Sequence, residues 1–351
     1  MVYLTGCQDV VLTDVSILDS PNWSCHLQWC RQVRVRSLII TSSLEKGVNS
    51  DGLDIDGCSD VIVSDCIIRT GDDAICLKST RQAGRSEPCR DIIVTNCLLS
   101  SSSCAFKIGT ETHADFTRIR VSNCIIKESN RGLGIIVRDG SLVSDVHFDN
   151  ILIDCQRKPF FWWGNGEAFH FVVIKRSTDS KIGRIERLRL HNIVATSEGT
   201  SLIQGYDAQS VADIDLSAIR MTMNPESQPD RRMTHAVTIG QATNVRIKDC
   251  NVSWNAAFRK DHHRHALSVS NVDKAQISGF TCDPATQSQT IHLQNITDGS
   301  IMVPPFVTDL TKYLLITGNQ TNRVVIETTR HTPQKVRLLI PYALEGRVLV
   351  H

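Results

Sequence analysis

Residues 49–79, NSDGLDIDGCSDVIVSDCIIRTGDDAICLKS, carry five aspartates beside two turn signals: Asp51, Asp54 and Asp56 around NSDG, Asp72 and Asp73 in TGDD. Asp51 and Asp72 are 21 residues apart (72 − 51), close to the contour of one coil of a β-solenoid. If the chain winds at that period, the two turns stack, and adjacent coils lie roughly 5 Å apart. Three carboxylates crowded in that way repel, so at least one must hold its proton above the usual carboxylate range. A carboxyl that keeps a proton beside one that stays ionised is an acid/base pair. Glycoside hydrolysis needs such a pair, one group to protonate the leaving oxygen and one to activate water. Calcium binding is the other physical use of clustered carboxylates. Asp54, Asp56, Asp60 and Asp65 are expected to be solvated turn residues bonded to their own backbone.

The elements that must position these groups form a repeat. CQDVVLTDVSILDS, CRQVRVRSLIITSS, CSDVIVSDCIIRTG, CRDIIVTNCLLSSS, FTRIRVSNCIIKES and VSDVHFDNILIDCQ begin at Cys7, Cys30, Cys58, Cys89, Phe116 and Val143. Copies starting at Ile182, Val211 and Ala242 extend the series, and a weaker one follows from Val272. Each unit is an alternating strand, a polar break, and a second short apolar strand. A propeller blade needs more strands per unit, and the leucine-rich pattern is absent. The expected fold is all-β: a single-stranded right-handed parallel β-helix, a pectin-lyase-like solenoid, in one domain over 1–351. N-terminal coils are expected to be missing, and 301–351 reads as a strand-rich cap over the open end. Cys66, Cys97 and Cys124, with Asn96 and Asn123, occupy like positions and read as structural ladders.

The chain has 351 residues, 41% hydrophobic and 21% charged, with a net charge of +1. That balance gives no bulk attraction to nucleic acid or to a membrane surface. No apolar run is long enough for a membrane-spanning helix. Thirteen cysteines show no CxxC spacing and read as buried small thiols, with no metal or cofactor expected. Met1 leads straight into a strand-like VYLTGCQDVVLTDV, so the absence of a leader says nothing of compartment.

NSDG at 49–52 and TGDDAICLKS at 70–79 closely resemble the two leading motifs of glycoside hydrolase family 28, the polygalacturonases. SPNWSCHLQWCRQVRV, 20–35, is similar to the segment that precedes them. The resemblance implies a parallel β-helix that hydrolyses pectic glycosides with inversion, and a secreted or periplasmic location. Carried over by position, it makes Asp72 the general acid, with Asp51 and Asp73 holding and deprotonating the attacking water. Inverting enzymes separate acid and base by roughly 6.5–9.5 Å.

Two family motifs are missing. Gly-His-Gly should fall at 102–104, where Ser103 replaces the histidine, and Arg-Ile-Lys at 134–136, where both cations are gone. In the family those cations grip a substrate carboxylate, so a different glycone is expected here. Lys107, Glu111, His113, Arg131 and Arg138 are the candidate substrate-binding groups that remain nearby. Trp162 and Trp163, in the aromatic-rich 157–171, suit either stacking on a sugar or packing a loop onto the solenoid. STRQAGRSEP, 79–88, is expected to be a loop beside the acidic patch. The expected function is inverting hydrolysis of a pectic or related poly- or oligosaccharide. A polysaccharide lyase or epimerase, or a non-catalytic carbohydrate-binding β-helix, are the alternatives.

Overall fold

The computed structural model describes residues 1–159, 163–227, 232–255, 262–283, 289–328 and 346–350. The chain forms a right-handed parallel β-helix in which each strand pairs, one coil on, with its counterpart. In the sheet that matters for function, Val2–Thr5, Cys25–Gln28, Leu53–Asp56, Ile75–Ser79, Cys104–Thr112, Arg131–Val137 and Glu167–Val173 follow one another in parallel register. The same stacking continues from Ser201–Gln204 to Leu314–Thr317. Among the described residues, no helix is long and apolar enough to cross a membrane.

Strand alternation sets what faces in. One inward row runs Val2, Cys25, Leu53, Ile75, Phe106, Leu133, Phe169, and the next runs Leu4, Leu27, Ile55, Leu77, Ile108, Ile135, Phe171. From the second coil onward these side chains are buried. Phe148 joins them from a second sheet, with its ring 5.7 Å from both Phe106 and Phe171. Burying such rows on each coil is the main driving force of the solenoid.

The bends are made by residues that tolerate a left-handed backbone. Asp65, Asn96, Asn123, Asn150 and Asn192 have φ between +51° and +58°, where a short polar side chain is favoured over a branched one. Asn150 Nδ2 donates to Asn123 Oδ1 at 2.7 Å, and Asn192 Nδ2 to Asn150 Oδ1 at 3.1 Å. Directly behind this column lie the buried Cys66, Cys97 and Cys124. All thirteen cysteines are free thiols; Cys7 and Cys282 are half-buried and the rest buried.

Beyond Ile301, strands Leu314–Thr317, Val324–Thr328 and Val348–Val350 keep the parallel register of the coils below. Residues 329–345 of the segment expected to cap the helix lie outside the described residues.

Candidate active site

The site lies on the outward side of the same strands. In Leu53–Asp56 and Ile75–Ser79 the inward residues are Leu53, Ile55, Ile75 and Leu77, so Asp54, Asp56, Cys76 and Lys78 face out. One outward row runs Tyr3, His26, Asp54, Cys76, Lys107, Gly134, His170 across seven coils.

Asp51 and the Asp72–Asp73 pair precede neighbouring strands and stack, with the Gly52 amide donating to the Asp73 carbonyl at 2.8 Å. Gly52 is required by close approach: a Cβ there would meet the Ala74 carbonyl oxygen at 2.4 Å. One carboxyl oxygen from each of Asp51, Asp72 and Asp73 falls within 4.8 Å of the other two. Asp51 and Asp73 are buried and Asp72 half-buried, so Asp72 is the member that faces the open side.

Two lysines neutralise this cluster. Lys78 Nζ lies 3.8 Å from Asp51, 3.7 Å from Asp54 and 3.4 Å from Glu111. Lys107 Nζ bonds Asp73 Oδ2. Gly134, at the first position of the missing Arg-Ile-Lys motif, pairs with Lys107 across the coil, and a Cβ there would meet Cys104 Sγ at 2.9 Å. Ser103, at the position of the missing histidine, is buried next to the Asp72–Asp73 turn. Its neighbour Ser101 donates from Oγ to the Asp72 carbonyl at 2.7 Å.

The charges separate the three carboxyls. Burial, with Asp54, Asp73 and Asp72 alongside, raises the Asp51 carboxyl to about 10. Burial and the neighbouring Asp73 raise Asp72 to about 6. Burial would raise Asp73 too, but the ammoniums of Lys107 and Lys78 hold it below its ordinary value. Asp54, fully buried, rises to about 7 by desolvation, opposed by Lys78 and His26. The site therefore holds protons at neutral pH beside an ionised Asp73. With Lys78 and Lys107 already occupying the counter-ion positions, the carboxylates are poorly placed to take a divalent cation as well.

Asp54 and Asp56 correct the expectation that they are solvated turn residues. Both are strand residues, fully buried, because the outward side of their strand is covered by neighbouring coils and the loop after Ser79. Asp56 accepts from the Thr80 amide at 2.8 Å and from Gln28 Nε2 at 3.2 Å, and lies 3.2 Å from His26 Nε2. Burial opposes its ionisation, yet His26 and Thr80 hold its pKa low. Asp60 and Asp65 are at left-handed bends, with φ of +58°.

Of the candidate substrate-binding residues, Lys107 and Glu111 join the carboxylates. Arg131 is one coil further on, buried, with Nε donating to Glu167 Oε1 at 2.7 Å. His170 Nδ1 is 3.5 Å from the same carboxylate. Against burial, the Arg131 guanidinium holds the Glu167 carboxyl below its ordinary value. Burial, with Arg131 close by, pushes His170 down to about 4. His113 sits 3.9 Å from Asp139, which is held by Arg176 at 2.6 Å, away from the three aspartates. Arg138 follows the strand Arg131–Val137, and its Nε is buried without a hydrogen-bond partner. Trp163 is 74% exposed, and Trp162 lies outside the described residues.

Sequence reasoning missed Lys78, His26, Glu167 and Trp23. Lys78 had a signal, the alternation of ICLKS. Trp23 is fixed between two partners: its ring meets His26 edge-on with centroids 4.8 Å apart, and Lys78 Nζ lies 4.6 Å over it.

Residues 1–161 match the family model described as glycosyl hydrolases family 28. The chain is 22% identical over 171 residues to a Vitis vinifera protein named "Probable polygalacturonase", covering 47% of this chain and 35% of that one. Over 74 residues it is 40% identical to an Arabidopsis thaliana protein of the same designation, covering 21% of this chain and 16% of the relative. It superposes on the family 28 exopolygalacturonase of Yersinia enterocolitica with a TM-score of 0.60 at 15% identity, over 77% of this chain and 47% of that structure. The chain thus spans about a third of the length of the first curated relative and less than a fifth of the second. The structural likeness establishes the shared fold.

Proposed function

The chain is polygalacturonase-like, related through residues 1–161 to glycosyl hydrolases family 28, and on that footing we propose that it hydrolyses a glycosidic bond of a pectic or related polysaccharide. The observation that carries this reading is the meeting of Asp51, Asp72 and Asp73 within 4.8 Å of one another, with Asp72 the partly exposed member and their proton affinities driven apart. Asp72, half-buried and raised to about 6, gives its proton to the leaving glycosidic oxygen. Water attacks the anomeric carbon as that bond breaks, and its proton passes to Asp73. Lys107 keeps Asp73 ionised and fixed, so the lysine positions the base and leaves the sugar to other groups. Asp51, whose carboxyl is raised to about 10 by burial, completes the cradle of the water.

The family resemblance favours inversion. The nearest carboxyl oxygens lie closer than the roughly 6.5–9.5 Å separation of inverting pairs, and this spacing favours a second reading, retention through a glycosyl-enzyme intermediate on Asp51 or Asp73. A lyase or epimerase would need a free cationic base. Lys107 and Arg131, the two residues suited to that part, are both engaged by buried carboxylates.

Incubation with pectic and hemicellulosic oligosaccharides, read by proton NMR in the first minutes, tests the proposal. Hydrolysis gives a new reducing end without ultraviolet absorbance, and the first anomer formed separates inversion from retention. Asp72→Asn should lower turnover by about 10²–10⁴ while substrate still binds. Undiminished turnover in Asp72→Asn, or an unsaturated product, overturns the assignment.

A further inference from the structure

Far along the solenoid from the aspartates, two excursions of neighbouring coils meet. Glu226 belongs to the one between Met223 and Val237, and His262 and His263 to the one between Trp254 and Leu267. The strand that opens at Val237 is five parallel steps beyond Ile75–Ser79, roughly 25 Å along the axis. One ligand atom from each of Glu226, His262 and His263 lies within 4.8 Å of the other two. We propose that these three side chains bind a zinc ion that ties the two excursions together.

The donor set selects the ion. Two imidazole nitrogens and a carboxylate oxygen suit zinc and its first-row neighbours, whereas calcium and magnesium take oxygen ligands. Bonds of about 2.0–2.1 Å to zinc set tetrahedral edges of roughly 3.3 Å. His262 Nε2 and Glu226 Oε2 are already 3.2 Å apart. Since all three atoms fall within 4.8 Å, bringing His263 to the same edge takes at most about 1.5 Å of closure. The His262 side chain is 22% exposed, so water can reach the ion as a fourth ligand. At the aspartates, by contrast, Lys78 and Lys107 hold the counter-ion positions. Here those positions are taken by imidazoles, which bind metal in their neutral form.

The surroundings hold the ligands in place. The Met233 amide donates to Glu226 Oε1 at 2.9 Å, and Arg157 Nη1 lies 3.7 Å from the same oxygen, which leaves Oε2 toward His262. Ser227 donates to Glu198 Oε2 from its amide at 3.1 Å and from its hydroxyl at 2.6 Å, so the backbone beside Glu226 is anchored to the coil before. Glu198 also brings a second carboxylate to offset the Arg157 charge. On the facing excursion, the Arg264 amide donates to the Thr234 carbonyl at 2.7 Å. The Trp254 ring stacks on the buried His263 with centroids 5.3 Å apart. Neighbours that orient ligands in this way raise metal affinity. The competing explanation, a plain ion pair of Glu226 with His262, makes no use of His263.

The test uses the full chain freed of metal by a chelator, with no glycan present, so its outcome is independent of the hydrolase reading. Titration with zinc chloride at pH 7.5, followed by calorimetry, is expected to show a single ion per chain with Kd in the micromolar range or tighter. Cobalt at the same place should give the visible d–d bands of a four-coordinate site. Free zinc at about a hundred times Kd should raise Tm by about 3–4 °C in a chain of this length. His262→Ala, Glu226→Gln and His263→Phe, the last of which keeps a ring against Trp254, should each weaken zinc binding at least tenfold and remove most of the shift in Tm. The half-buried thiols of Cys7 and Cys282 and the three aspartates are the rival ligands. A Cys7→Ser, Cys282→Ser chain and an Asp72→Asn chain should therefore bind zinc as the unmodified chain does. Absence of stoichiometric binding, binding that survives His262→Ala or His263→Phe, or binding lost with the thiols or with Asp72 overturns the proposal.

Discussion

Replacing Lys107 by Met isolates the electrostatics on which the acid/base assignment depends. Asp73 is 1% exposed, and Lys107 is its direct partner. Removing one member of a buried ion pair typically costs about 3–5 kcal/mol, because the remaining charge is left in the interior. Lys78 also acts on Asp73 and offsets part of the loss, so about 3 kcal/mol at pH 7.5 is expected. The pH dependence follows from linkage. In the unmodified chain the folded-state pKa of Asp73 lies below the usual value of 3.8. Its contribution to stability is therefore fully present above that usual value and is lost only as pH falls through the folded one. In Lys107→Met, burial dominates and the folded pKa rises above 3.8. The folded state then binds the extra proton, and stability falls as pH increases from about 4. The gap between the two chains should narrow to about 1 kcal/mol at pH 4.5 and widen toward neutrality. Urea unfolding followed by far-ultraviolet circular dichroism at pH 4.5, 6.0 and 7.5 measures it. A gap that stays constant over this range, or is under about 1 kcal/mol at pH 7.5 as for an exposed pair, would refute the reasoning.

Because Asp72 must be protonated to act and titrates at about 6, kcat should decline as pH rises through that value. An alkaline limb that moves when Lys107 is neutralised would tie the titration to this cluster, and a rate flat from pH 5 to 8 would remove Asp72 as the acid. Arg131→Met should destabilise the chain by about 3–5 kcal/mol by stranding Glu167, and adding Glu167→Gln should recover much of that loss. Equal unfolding midpoints for the single and double variants would show that the pair is not coupled.

Much of the architecture was legible, because a solenoid repeats its instructions. Aligning CRQVRV, CSDVIV, CRDIIV and FTRIRV already gives the register in which Val33, Val61, Ile92 and Ile119 stack. The stacking of Asp51 beside Asp72 and Asp73 followed from their spacing. The burial of Asp54 and Asp56 was not legible. Their strand faces outward, and what covers it arrives from His26 one coil back and Thr80 one coil on. The partner of Arg131 was hidden for a similar reason. Glu167 stands opposite Arg131 one parallel step on, 36 residues later (167 − 131), and the intervening sequence is where the repeat loses its rhythm. Lys78 was legible in principle, since Ile75 and Leu77 claim the inside and leave it the outside.

The row of outward residues is a ruler whose divisions are cut by the backbone. Asp54 to Cys76 takes 22 residues (76 − 54) and Cys76 to Lys107 takes 31 (107 − 76), yet each is one parallel step in the same sheet. The surplus is spent in the excursion after Ser79, where Gln82 and Arg85 form their own small bridge. Lengthening or swapping that excursion would remodel the bank of the groove and leave the graduations untouched. Tolerance for insertion thus sits beside, and apart from, the parts whose spacing has to be kept, so a descendant of this chain can reshape the bank of the groove without disturbing the spacing of the three aspartates.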